Sequence, residues 1–313
     1  KNPVVVEINN DMAITVTFVE AAYTLDVDVE GSGTISVEQD QESYEYGAKV
    51  TLFAVPEEGW TFAHWTGDLS GSSNPATITM SKNSNITAVF TFSIQNAIDN
   101  ANDGDIIVVP QGEYLESLDF RGKSITLQSS DPNDPEVVRS TVLDGRDFGN
   151  IRPVIRIANG ESNAEINGFT IKNGKRGVFI GEWCSVIITN CLIINNEVQG
   201  DGGGIYVMEN ASAIIRGNTI TNNKAENGGG LYLGNATCLI KNNVIEYNEA
   251  TMTKGGGGIC ISGGLHEVVG NTIMNNQSDF RGGGIACDNG THLFKDNLIL
   301  GNSSRYGYGA GLH

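Results

Sequence analysis

Charged side chains gather just before a series of glycine runs, and their types are those that eliminate acidic sugars. Lys175 and Arg176 precede one run and Asp201 the next; Lys224 with Glu226, Lys254, and Asp279 with Arg281 precede the following three. A polyuronate lyase needs carboxylates to hold a divalent cation against the uronate, and an Arg or Lys to take the α-proton. Arg281 with Asp201, or Lys254 with Asp279, would supply that base and that ligand. The alternative is a solvated loop face on a chain of net charge -18. A second set of residues points to stacking. Phe179, Tyr206 and Tyr232 occupy one place after successive runs, where the flanking Ile205 and Val207, or Leu231 and Leu233, turn inward, so alternation turns the rings outward. With Lys175, Arg176, Asp201 and Glu226 beside them, the rings would form an apolar platform edged by groups that bond hydroxyls, which suits a sugar chain. Rings that merely shield one another are the structural alternative.

Metal chemistry has weaker claims. Cys238, His266 and His292 share one register, but a column of side chains about 4.8 Å apart does not converge on a point. Cys184, Cys191, Cys238, Cys260 and Cys287 lack CxxC spacing, and an odd count gives no disulfide framework. Asp131, Asn133, Asp134 and Glu136 make calcium the one cofactor to consider. Their spacing is not that of a known calcium loop, and Asp-Pro turns explain them equally. Asn210-Ala-Ser and Asn235-Ala-Thr match glycosylation sequons whose shared register reads as turn chemistry first.

The elements that position these residues follow from a repeat. Gly202, Gly228, Gly256 and Gly282 open copies spaced 26, 28 and 26 residues apart, each with apolar residues in short runs at period two. A fixed period of this length means stacked units, and no run is long enough for a helix. Three short strands per copy, paired edge to edge with the next copy, make a parallel β-helix. Asn218, Asn243, Asn271 and Asn297 then form one column, and Asn196, Asn223, Asn248, Asn276 and Asn302 a second. Asparagine tolerates the left-handed backbone of a sharp corner and can bond the same amide one coil away. The glycine runs serve a third corner, where φ > 0 is needed. Ser93-Ile-Gln-Asn-Ala-Ile-Asp-Asn-Ala reads as a short amphipathic helix capped by Ser93, laid across the open end of the stack.

Composition bounds partners. With 313 residues, 40 glycines and 18% charged residues, the chain reads as soluble and in two or three domains. Strong negative charge argues against nucleic acid or an anionic membrane, and no stretch approaches 18 apolar residues. Residues 2–18 align without a gap on residues 74–90, so the chain reads as beginning inside a truncated repeat. The domains expected are 1–20, the tail of that repeat; 21–92, a small all-β module built on Trp60, Phe62 and Trp65 with His64 packed beside its core; and 93–313, the β-helix. Ala310-Gly-Leu-His opens one more coil, so the natural protein is expected to continue or to pair end to end.

The phrases GSGTI, YGAKVTLFAVPEEGWTFAHWTGD, NPATITM and ITAVF resemble the divergent internalin-B-type bacterial repeat, which implies a spacer or adhesion module without catalysis. The segment from Ser93 to Glu136 resembles the opening of bacterial right-handed parallel β-helix proteins, in the superfamily that includes pectate lyases and polygalacturonases. The GGGI strand starts and IxxN endings are similar to the GGAI and FxxN repeats of chlamydial polymorphic outer-membrane proteins. The superfamily's enzyme motifs NTD, DD, GHG, RIK and WiDH are absent, and the outward strand column reads Arg156, Phe179, Tyr206, Tyr232, Cys260, Ala286, without carboxylates. The expectation is an extracellular or cell-surface bacterial module, all-β, that binds a polysaccharide or surface glycan without chemistry. A polysaccharide lyase or glycoside hydrolase of the same superfamily is the alternative.

Overall fold

The computed structural model describes residues 22–146, 152–307 and 309–313, with isolated positions before residue 22. The tail expected over residues 1–20 lies outside the described residues as a segment. The chain forms two compact units, Lys1–Thr91 and Phe92–His313.

In the first unit, strands Gly33–Val37, Lys49–Pro56 and Ala76–Thr79 form an antiparallel sheet; Leu25–Glu30, Ser84–Phe92 and Trp60–Gly67 form a second sheet, in which the first two strands run parallel. Strand alternation buries Val50, Leu52 and Ala54 of one strand and Ile86, Ala88 and Phe90 of another. Trp65 is 1% exposed and its indole donates to the Ser73 carbonyl at 2.9 Å, so the largest core side chain leaves no polar atom unpaired. Phe62 meets Trp65 and Phe90 at 5.0 and 6.0 Å between ring centres. His64 departs from expectation: one residue before the buried indole, alternation turns it to solvent, and it is exposed rather than packed.

The second unit is a right-handed-type parallel β-solenoid whose strands stack in sheets of seven and eight, every pairing within them parallel. Ile155, Ile157, Val178, Ile180, Ile205, Val207, Leu231 and Leu233 are fully buried along one sheet, and Ile193, Ile220, Ile245 and Ile273 along another. Like residues therefore stack on like residues down the axis. Besides the three strands expected per coil, a fourth sheet of two-residue strands joins Lys224–Ala225, Glu249–Ala250, Gln277–Ser278 and Ser303–Ser304. It arises because the chain stays extended for two residues beyond Asn223, Asn248, Asn276 and Asn302, while after Asn196 only Glu197 bridges to Lys224.

Both asparagine columns form as hydrogen-bonded ladders. Asn248 Nδ2 donates to Asn276 Oδ1 at 3.0 Å and to the Ile220 carbonyl at 2.9 Å, and its Oδ1 accepts from the backbone and side-chain nitrogens of Asn223, each at 3.0 Å. The other column repeats the pattern through Asn218, Asn243, Asn271 and Asn297. The left-handed corner, however, belongs to the residue before each ladder asparagine: Asn195, Gly217, Asn222, Asn242, Tyr247, Gly270, Asn275, Asp296 and Gly301 all have φ between 52° and 69°. The ladder amide must reach along the axis, so its neighbour takes the strained dihedral.

The glycine runs divide their work likewise. Gly202, Gly228, Gly256 and Gly282, which open the four triplets, have positive φ, as does the extra Gly255 before the third. The second and third are glycine because a Cβ would strike the next coil: at Gly204 it would lie 2.5 Å from the Gly230 carbonyl oxygen.

The helix α1, Ile94–Asn100, forms as expected, with Ile94, Ala97 and Ile98 buried and Ser93 Oγ accepting from the Asn96 amide. Glu116 takes the Ile94 and Gln95 amides at 3.0 and 2.8 Å, which satisfies two of the amides a helix start leaves open. A second helix, α2 at Pro135–Ser140, replaces the loop expected after Asp131. Asp134 caps it and Pro135 opens it, a placement favoured because proline lacks the amide that the first turn cannot pair.

Candidate functional site

Register pairs settle the outward column. Arg156, Phe179, Tyr206, Tyr232, Cys260 and Ala286 are successive partners, and Asp119 precedes Arg156. The column therefore does hold one carboxylate, which the sequence reading omitted. It is engaged: Asp119 pairs with Arg156 at 2.8 Å and accepts from Asn159 at 3.1 Å and from the Arg121 amide at 2.8 Å.

Phe179 and Tyr206 stack at 5.5 Å between ring centres, and Tyr206 and Tyr232 lie at 5.3 Å. The rings do not form a bare platform. The Arg176 guanidinium sits 4.9 Å from the centre of Tyr206 and 5.8 Å from that of Phe179, a cation over two π faces. Its Nε donates to the Asp201 carbonyl at 2.8 Å, which fixes the plane and leaves the terminal nitrogens without a hydrogen-bond partner among the described residues. Burial pulls the Arg176 guanidinium below its ordinary value, opposed by Tyr206 and Asp201. Burial, and then the Asp201 charge, pushes the Tyr206 phenol up.

Tyr232 corrects the expectation of three outward rings, since it is only 6% exposed. The cause is the 28-residue copy, whose two extra residues fall at the corner Thr251–Gly255. There Asn227 Oδ1 accepts the Lys254 and Gly255 amides at 3.0 and 3.2 Å, and Lys254 Nζ is brought 5.9 Å from the Tyr232 ring centre and 3.5 Å from its hydroxyl. The interaction with Tyr232 leads a set of effects that raise the Lys254 ammonium above its usual value. Asn227 Nδ2 also donates to Asp201 Oδ1 at 2.7 Å, so one amide ties the Lys254 corner to Asp201. The structure thus gathers Arg176, Asp201, Tyr206, Tyr232 and Lys254. Lys175 and Glu226 stand half-buried nearby in sequence, with no side-chain hydrogen bond or ion pair to that group among the described residues.

The acid–base pairings read from sequence have other partners. Arg281 lies 3.4 Å from Asp288, and Asp279 lies 3.6 Å from Arg305. The Asp131 set is spent on its own backbone and neighbours: Asp131 accepts the Asn133 amide, Asp134 the Glu136 amide, and Glu136 pairs with Arg139. Among the described residues no three His, Cys, Asp or Glu side chains are grouped to hold a metal ion.

His266 and His292 stack nearly parallel at 5.3 Å between ring centres, in register with Cys238. Each ring's Nε2 faces backbone carbonyls, Gly263 for His266 and Asn289 for His292, while both Nδ1 atoms are buried without a partner. Burial first, opposed by the Gly263 carbonyl and reinforced by His292, sets the His266 pKa below its ordinary value. As pH falls, the unfolded chain therefore takes up its proton at about pH 6.5, before the folded state does. The His266 contribution to stability is present above that pH and lost below it. Unfolding in urea at about pH 7.5 and 5.5 should show a smaller loss on acidification in His266→Phe than in the parent. Equal losses would contradict this sign.

A face that sequence reasoning missed lies on the other side of the Cys238 sheet. Thr237, Leu239, Leu265, Glu267, Thr291 and Leu293 line a shallow groove of about 680 Å³. The signal was the pair Ile214 and Ile215, apolar on both faces of one strand.

Comparisons with known proteins complete the description. Residues 23–93 match a family profile described as the divergent InlB B-repeat domain. A stretch of 120 residues, 38% of this chain, is 33% identical to a protein named cell surface glycoprotein from Methanothermus fervidus, and spans 17% of that protein's length. The alginate lyase from Paenibacillus sp. str. FPU-7 superposes with a TM-score of 0.39 at 14% identity, over 67% of this chain and 95% of its own. Matched over residues 98–311 by its profile, the chain belongs to the family described as periplasmic copper-binding protein (NosD).

Proposed function

We propose that the β-solenoid is a non-catalytic, surface-exposed module that binds an extended acidic glycan along its axis over Phe179 and Tyr206. The observation that carries this reading is the Arg176 guanidinium, 4.9 and 5.8 Å from the Tyr206 and Phe179 ring centres, with its terminal nitrogens uncommitted among the described residues. A guanidinium fork matches a carboxylate or sulfate in two directions, and the ring edges offer apolar contact to a sugar. Lys254, with Nζ 5.9 Å from the Tyr232 ring centre, adds a second cation beside the next ring of the column. The surface location draws support from the surface protein of Methanothermus fervidus and from the internalin-type module. No helix among the described residues is long and apolar enough to cross a membrane.

Copper, named in the family description, finds no matching donor set among the described residues. The Cys238, His266 and His292 column is the nearest approach, and its parallel rings aim their lone pairs alongside one another rather than at one point. The lyase reading has less support, because among the described residues no cluster of ligating carboxylates faces the cations over the rings.

The test is binding to an array of neutral, uronic and sulfated glycans. The parent should bind uronic or sulfated chains weakly, and Arg176→Ala or the pair Phe179→Ala and Tyr206→Ala should lose at least tenfold in affinity while keeping the parent's circular dichroism. Binding unchanged in both variants would move the site to the groove at Leu239 and Leu265, and binding to no glycan would refute the proposal.

A further inference from the structure

We propose that one corner of the solenoid is an edge of asparagine-linked glycosylation, with Asn210, Asn235 and Asn289 as acceptors. Asn210-Ala-Ser, Asn235-Ala-Thr and Asn289-Gly-Thr are all N-x-Ser/Thr sequences. The register pairs Ser212 with Thr237 and Leu265 with Thr291, so the three asparagines share one column with Gly263 between the second and third. All three are exposed, as are Ser212, Thr237 and Thr291.

Turn chemistry accounts for only one of them. Asn210 has φ of 58°, where asparagine is favoured, but Asn235 and Asn289 are not left-handed. None of the three side-chain amides has a hydrogen-bond partner among the described residues. This distinguishes the corner from the other sequons. Asn276-Gln-Ser and Asn302-Ser-Ser carry ladder asparagines, whose amides donate to the Ile245 and Ile273 carbonyls at 2.9 and 2.8 Å. Asn85-Ile-Thr lies inside a strand around the fully buried Ile86, so that segment cannot leave its sheet to enter a transferase.

The donor class is a lipid-phosphate-linked oligosaccharide. The asparagine amide nitrogen forms a bond to the sugar C1, the bond from C1 to the phosphate oxygen breaks, and the phosphate leaves with the electron pair. One amide proton goes to a base, and nothing is oxidised or reduced. Asn210 and Asn235 stand one coil apart, about 4.8 Å, too close for two bulky glycans side by side. Asn289 is two coils further along. Each chain should therefore carry two glycans, one shared between Asn210 and Asn235 and one on Asn289.

The experiment is secretion of the full chain from a cell with an N-x-Ser/Thr oligosaccharyltransferase, beside a known glycoprotein as control, followed by intact mass and glycopeptide mapping. Two glycans are expected. Thr291→Ala should remove one, and Ser212→Ala should leave two, with Asn235 occupied. An unmodified chain beside a modified control, or a glycan on Asn276 or Asn302 of the folded product, would overturn the proposal. Three glycans per chain would overturn the exclusion between Asn210 and Asn235.

Discussion

Asn248→Leu should lower stability by about 3 kcal/mol or more, read as a fall in the urea midpoint. The side chain satisfies four groups, the backbone and side-chain nitrogens of Asn223, the Ile220 carbonyl and Asn276 Oδ1, all in a dry corner where Asn248 is 1% exposed. A buried polar group left without a partner costs roughly 1–3 kcal/mol, and leucine abandons several at once. Asn302→Leu should cost less, because Asn302 is only half-buried and its Oδ1 serves Asn276 alone. In a stacked protein each coil contacts its neighbours only, so the Asn248 change should also broaden the transition by uncoupling the coils on either side. An unchanged midpoint would refute the ladder as a source of stability.

Gly229→Ala is the second large expected effect, and it acts through volume rather than hydrogen bonding. Gly229 is not among the left-handed residues, so alanine meets no dihedral objection. Its Cβ would lie 2.4 Å from the Glu249 carbonyl oxygen and 2.7 Å from the Glu249 backbone nitrogen. Backbone cannot swing aside as a side-chain tip can, so the coils must part. Overpacking of this kind costs roughly 1–3 kcal/mol and sometimes more. A thermal midpoint equal to the parent's would show that the coils are less tightly spaced than the structure gives.

These two residues show what was legible in the sequence. The solenoid follows from the period of the glycine runs and the alternation around them, because identical surroundings recur at each coil and one copy explains the next. The ladders were legible for the same reason. What was not legible is what happens once. α2 was hidden because Asp-Pro serves a turn or a helix start equally well, and only the packing of Val138 decides. Two inserted residues before Gly256 were visible as a spacing of 28, but not that they would fold Lys254 across Tyr232. Alternation predicted outward rings correctly in direction and said nothing of the corner that covers one of them, or of Arg176 lying over the others. The exposure of His64 was readable from its place beside Trp65, had alternation been applied there as it was in the coils.

The central claim, an acidic glycan held over Phe179 and Tyr206 without chemistry, is tested most directly by electrophoresis of the parent and Arg176→Ala through a gel containing a polyuronate, with recovery of the polymer. The account predicts that the parent is retarded, that Arg176→Ala migrates freely, and that the recovered polymer keeps its length and gains no unsaturated ends. Shortened polymer with unsaturated ends, or equal migration of the two proteins, would contradict it.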